Sequence, residues 1–146
     1  MTTAPKGMEW REEFATGVPE IDEQHLILVS MLNEAAVRVA GDTTAATVER
    51  ITHDLLGYAL YHFEAEEKLM RRYGYREGSP AEVADHLEQH RGFSWKVVAF
   101  REELKSGGAV PAEELLDFLT DWLTRHILLT DQKLGAWVLA RRAEGG

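Results

Sequence analysis

The segment Tyr58-Ala59-Leu60-Tyr61-His62-Phe63-Glu64-Ala65-Glu66-Glu67-Lys68-Leu69-Met70 sets an imidazole and a carboxylate four residues apart within an apolar stripe. Val48, Ile51, Leu55 and Tyr58 lead into it, and Leu69 and Tyr73 lead out, in steps of three and four residues. That period is helical, because such steps return to one face of the helix. His62 and Glu66 therefore face inward together. His53, nine residues before His62, falls on the opposite side of the same helix at about 100° per residue and is expected in solvent.

Three further segments repeat the pattern. Ile21, His25, Leu28, Leu32, Ala36 and Val39 form one stripe. Val83, His86, His90, Phe93, Val97, Phe100 and Leu104 form another, and Leu115, Leu119, Trp122 and His126 a fourth. Glycine-containing connections divide them at Gly41 to Thr43, Gly74 to Ser79 and Ser106 to Val110. Pro19 and Pro111 suit first helical positions, with acidic residues following in the first turn. Ser79-Pro80-Ala81-Glu82 reads as a capping box opening the third helix. β-Branched residues do not cluster, and no Asn-Gly or Asp-Gly turn joins alternating runs. The expectation is an all-α, up-down-up-down four-helix bundle. Residues 1–18 form an N-terminal arm whose Met8, Trp10 and Phe14 close over one end.

Composition narrows the functional classes. At 146 residues the chain, 1–146, is expected to be a single domain with a real core. A net charge of -9, with basic residues scattered, argues against nucleic acid as a partner. No apolar run reaches the length of a membrane span, and residues 1–10 lack a secretory layout, so a cytoplasmic protein without membrane insertion is expected. There is no cysteine, which removes thiolate zinc, iron-sulfur clusters and blue copper.

Five of the six histidines, with two carboxylates, can be aimed at one point: His25, His62, Glu66, His86, His90, His126 and Asp131. A single histidine on an apolar face is more often a hydrogen-bonded core residue than a ligand. Four helices that each bury imidazole, together with carboxylates and no lysine or arginine on the same stripes, point instead to a bound cation, which removes the cost of the buried charge. So many nitrogen donors suit iron, zinc or copper rather than magnesium or calcium, and histidine with carboxylate favours iron or manganese. Seven donors exceed one ion and fit two. Glu23 and Glu67 neighbour these positions but fall off the stripes and read as surface charges. One position resists ideal geometry: His126 and Asp131 are five apart and would diverge by about 140° on an α-helix. A wide, π-type turn over Ile127 to Thr130 is therefore expected. Gly135 beyond it either absorbs the distortion or answers a packing need.

With these residues the chain resembles the hemerythrins, and its acidic single-domain form looks like a bacterial hemerythrin. The wording carries the resemblance: Val18-Pro19-Glu20-Ile21-Asp22-Glu23-Gln24-His25, His62-Phe63-Glu64-Ala65-Glu66-Glu67, His86-x3-His90, and Trp122-Leu123-Thr124-Arg125-His126-Ile127 with Asp131. The resemblance implies two iron ions with a bridging oxo or hydroxo group. His25 and His62 would hold one iron, His86, His90 and His126 the other, and Glu66 and Asp131 would bridge them. Dioxygen would bind reversibly at the two-histidine iron, in a dry pocket lined by Trp10, Phe63, Trp122, Leu123 and Ile127. The implied role is a monomeric, non-enzymatic oxygen carrier, store or delivery protein, with an oxygen-consuming enzyme as recipient. The alternative is a di-iron enzyme or a sensor acting on dioxygen, peroxide or nitric oxide. The chain has no Glu-x-x-His, the repeat of the carboxylate-rich oxidising sites, and its nearest approach is Asp22-x-x-His25.

Overall fold

The computed structural model describes residues 9–107 and 112–144. Among them the order is a 3-10 turn at Glu12–Phe14, α1 (Pro19–Gly41), α2 (Ala45–Arg72), α3 (Tyr75–Gly78), α4 (Pro80–Lys105), α5 (Ala112–Arg125), a π segment (His126–Thr130) and α6 (Asp131–Glu144). α5, the π segment and α6 follow without a break as one long fourth arm, and α1, α2 and α4 are the other three. α1 packs on α2 and α5, and α2 on α4, giving a helical bundle. No described helix is long and apolar enough to cross a membrane.

Local chemistry sets most of the boundaries. Pro19 starts α1, where its missing N–H costs nothing. Thr44 caps α2, its Oγ1 accepting from the Thr47 amide at 3.4 Å. α2 ends before Gly74, whose φ of 67° is left-handed. Met8, Pro111 and the far end of the Ser106 to Val110 connection lie outside the described residues.

Two local expectations are corrected. Ser79 makes no side-chain cap bond, so the capping box does not form. Its amide instead closes the preceding turn on the Tyr75 carbonyl at 2.7 Å, and Glu82 is drawn to Lys133 at 3.1 Å across the bundle. The connection before it is also more than a loop, since it contains the single turn α3. Tyr75 is buried there, with its ring 5.6 Å from that of Trp137. A side chain at Gly78 would meet Trp137 at 2.0 Å, which is why the turn carries glycine.

The core is divided. Leu28, Leu32, Leu55, Phe63, Phe93, Leu119, Leu123 and Ile127 belong to one apolar cluster. Val18, Ile21, Leu69, Val83, Leu134 and Val138 belong to the other. Every arm crosses between them, and at the crossing it carries a buried polar residue: His25, Glu66, His86, His90, His126 or Asp131. A polar layer is thus closed off from water by hydrocarbon on both sides.

The N-terminal arm is fastened beside this layer. Asp22 Oδ1 accepts from the Thr16 amide at 2.8 Å and the Thr16 hydroxyl at 2.7 Å, while Gln132 Nε2 donates to the Phe14 carbonyl at 3.1 Å. Thr16 lies so close to α6 that a Cβ at Gly135 would approach Thr16 Cβ to 2.7 Å and its carbonyl oxygen to 3.3 Å. Packing therefore accounts for Gly135.

Candidate metal centre

Each arm of the bundle delivers a share of the polar layer. α1 supplies His25, α2 supplies His62 and Glu66, α4 supplies His86 and His90, and the fourth arm supplies His126 and Asp131. The last pair meets through the π segment. The Asp131 amide donates to the His126 carbonyl, a five-residue closure that turns both side chains to the same side. Gln132 Nε2 reaches the Ile127 carbonyl of this widened turn at 3.3 Å. His53 stays outside, with 67% of its side chain exposed, hydrogen-bonded to Asp54.

All seven candidate donors are brought together. Glu66, His86, His90 and His126 can each offer one ligand atom within 4.8 Å of the others, and so can His25, His62, Glu66 and Asp131. Glu66 belongs to both groups. Its Oε1 lies 3.2 Å from His62 Nε2, 3.2 Å from His90 Nε2 and 3.6 Å from His86 and His126 Nε2. Asp131 spans them with its two oxygens, Oδ2 at 2.6 Å from His25 Nε2 and Oδ1 at 3.0 Å from His126 Nε2. Among the described residues, both carboxylates have only histidines as ion-pair partners.

The arrangement fits a cation rather than a self-contained polar cluster. His62 Nε2, His86 Nε2, Glu66 Oε2 and Asp131 Oδ1 are buried without a hydrogen-bond partner, a costly state for the chain alone. His90 and His126 point their Nε2 atoms at each other across 3.2 Å. Titration is distorted accordingly. Burial opposes the charged ring at His62, yet Glu66 and Asp131 outweigh it and raise its pKa to about 10. His86 is raised to about 9 against the same penalty, by Asp131 and Glu66, and His126 also rises. His90 is lowered by burial. Glu66 and Asp131 are held well below the usual carboxylate range despite burial, His62 acting on the first and His126 on the second.

A layer of acceptors behind the imidazoles was not legible in the sequence. His62 Nδ1 donates to Gln24 Oε1 at 2.6 Å, and His126 Nδ1 to Gln89 Oε1 at 3.0 Å. Gln89 also accepts from the Thr130 hydroxyl at 2.7 Å. His90 Nδ1 donates to Glu67 Oε2 at 3.2 Å. Glu67 is therefore not merely a surface charge, whereas Glu23 is exposed. An acceptor at Nδ1 fixes the tautomer that presents a bare Nε2 to a metal. Each acceptor is the sequence neighbour of an inward residue on one arm and holds an imidazole of the next.

The chain around the site is aromatic and apolar. Phe63 stacks on His90 with centroids 3.9 Å apart, and Trp122 on His126 at 4.5 Å. These rings therefore back the three-histidine group, with Phe63 also 6.0 Å from His62. A cavity of about 20 Å³ lies in the adjoining core, lined by Phe63, Trp122 and Leu123 together with Leu28, Ala59 and Phe93 among others. Trp10 and Ile127 are not on its wall. Trp10 packs edge-on against Phe14 at 5.5 Å, and Ile127 is fully buried in the main core. Leu28, one turn from His25, is a lining residue that the sequence reading missed.

The family model described as Hemerythrin HHE cation binding domain matches residues 16–138. The chain belongs to the hemerythrin family. It is 33% identical over 118 residues to a bacteriohemerythrin of Pseudomonas aeruginosa, covering 81% of this chain and 72% of that protein. A bacteriohemerythrin of Stenotrophomonas maltophilia is 31% identical over 123 residues, covering 84% of this chain and 76% of that protein. A crystal structure of wild-type hemerythrin superposes with a TM-score of 0.79 at 26% identity, covering 90% of this chain and 97% of that one. Hemerythrins bind non-haem iron, and the polar layer of this family member is able to hold metal ions.

Proposed function

We propose that this hemerythrin binds dioxygen reversibly at two iron ions. His25 and His62 would hold one and His86, His90 and His126 the other, with Glu66 and Asp131 shared. The observation that carries the reading is the uneven division of five imidazoles around two carboxylates that each face both groups. A donor set so arranged would fill one ion more completely than the other and would leave the two-histidine side with room for an exogenous ligand. When bound, two ferrous ions supply the two electrons on which reversible dioxygen binding draws.

The chain's own part is to hold, orient and keep dry. Gln24, Gln89 and Glu67 fix ring orientation through Nδ1. The apolar clusters exclude water. The neighbouring cavity, about 20 Å³, has room for one small molecule but no polar group to retain water. Its hydrocarbon lining offers no acid to deliver a proton, which supports a binding protein over an enzyme.

The test is release. Ferrous-loaded protein is exposed to dioxygen and then deoxygenated in a stopped-flow cell. Repeated, fully reversible absorbance changes support the reading. Irreversible oxidation on first exposure would favour an enzyme or scavenger.

A further inference from the structure

We infer that Glu67 is a positioning residue that sets the redox poise of the three-histidine side of the site through its hydrogen bond to His90. This rests on the di-iron reading above. Three imidazoles have an acceptor at Nδ1, and two of the acceptors are the neutral amides of Gln24 and Gln89. The third is the carboxylate of Glu67, 3.2 Å from His90 Nδ1. Among the described residues, His25 and His86 have no hydrogen-bond partner at Nδ1. Of the five rings, His90 alone is therefore backed by a carboxylate from those residues.

A carboxylate acceptor makes an imidazole a stronger donor than an amide does, because the hydrogen bond leaves more electron density on the ring. Stronger donation at Nε2 favours the ferric over the ferrous state of an ion held there. The two halves of the site are thus electrically unequal beyond their ligand counts. Oxidation on this side removes one electron, to dioxygen in the proposed function or to ferricyanide in a titration, while the Nδ1 proton stays in the His90–Glu67 bond. Glu67 is placed for this role without holding up the core. Its side chain is 36% exposed, against 4% for His90, and it opens onto a surface groove between α2 and α4 beside Leu60, Arg91 and Trp95.

The experiment is a mediated ferricyanide–dithionite titration of the iron-loaded full chain, with iron content measured on the same samples. Glu67→Gln keeps the shape and an acceptor oxygen and removes the charge. It should retain iron and raise the ferrous-to-ferric ratio at a fixed potential by about tenfold on one of the two ions, about 59 mV for a one-electron couple. Gln24→Glu, the reciprocal change behind His62, should lower the ratio on the other ion. Full iron with an unmoved or lowered midpoint in Glu67→Gln overturns the inference. Loss of iron from Glu67→Gln alone also overturns it, by assigning Glu67 to metal retention. Failure of the unaltered chain to take up iron removes the di-iron reading and this inference together.

Discussion

The backbone amide of Asp131 donates to the carbonyl of His126, five residues back, and this one bond decides whether the fourth arm can serve both halves of the metal layer. Without the extra residue in the turn, Leu123, His126, Asp131, Leu134 and Val138 would form a regular three-four stripe. The π segment is in effect a single-residue insertion absorbed without moving either face. Deleting the exposed Leu129 should therefore give a continuous α-helix that keeps His126 and the aspartate together and retains metal. Inserting an alanine after Leu129 should swing Asp131 away by about 100° and cut the metal-to-protein ratio. Metal analysis of both variants checks this, and equal retention would contradict it.

Gly135→Ala tests the seat of the N-terminal arm. A Cβ there meets Thr16, including its backbone oxygen, so the arm must shift. A loss of about 1–3 kcal/mol is expected, seen as a lower thermal midpoint with metal content unchanged. An unshifted midpoint would show that Thr16 yields freely.

The two-sided pattern of histidines predicts a contrast. His53→Ala removes an exposed ring and should leave metal content as it was. His90→Ala removes a buried donor with Nε2 3.2 Å from Glu66 and should lose metal or stability. Comparable metal content in the two would contradict the layer as drawn.

The fold was legible because each stripe keeps the helical period, over five turns or more in the first three and about three turns in the fourth, and the inward histidines lie on those stripes rather than between them. His53 was legible for the same reason. The acceptors Gln24, Gln89 and Glu67 were not. Each sits one residue from an inward side chain, about 100° round the helix and aimed at the seam with a neighbour, and spacing within one helix does not say whose imidazole waits there. The capping box failed for a related reason, because Lys133 competes for Glu82 from a distant part of the chain. The pocket was read from residues adjacent to ligands; of these Phe63, Trp122 and Leu123 line the small cavity in the adjoining core, whereas Trp10 packs on Phe14 and Ile127 is buried in the main core.

Metal uptake should release protons. In the metal-free chain the pKa values of His62 and His86 are raised to about 10 and about 9, so both rings are protonated at neutral pH and a metal must displace those protons. A raised folded-state pKa also stabilises the metal-free protein below the unfolded value of about 6.5, and this contribution is lost as pH climbs through the folded values. Both effects have one sign. The gap in thermal midpoint between loaded and metal-free protein should widen from about pH 6.5 to about pH 8.5. A gap that narrows would contradict it.

Leu123→Asn places an amide on the wall of the dry cavity. Water admitted there should speed autoxidation of the ferrous protein severalfold at unchanged iron content. An unchanged rate would locate the dioxygen position elsewhere.

The central claim is that seven side chains from four helical arms hold two irons, and metal analysis of the chain purified without added metal tests it most directly. The predicted result is two irons per chain. A ratio near one, or zinc in place of iron, would contradict it.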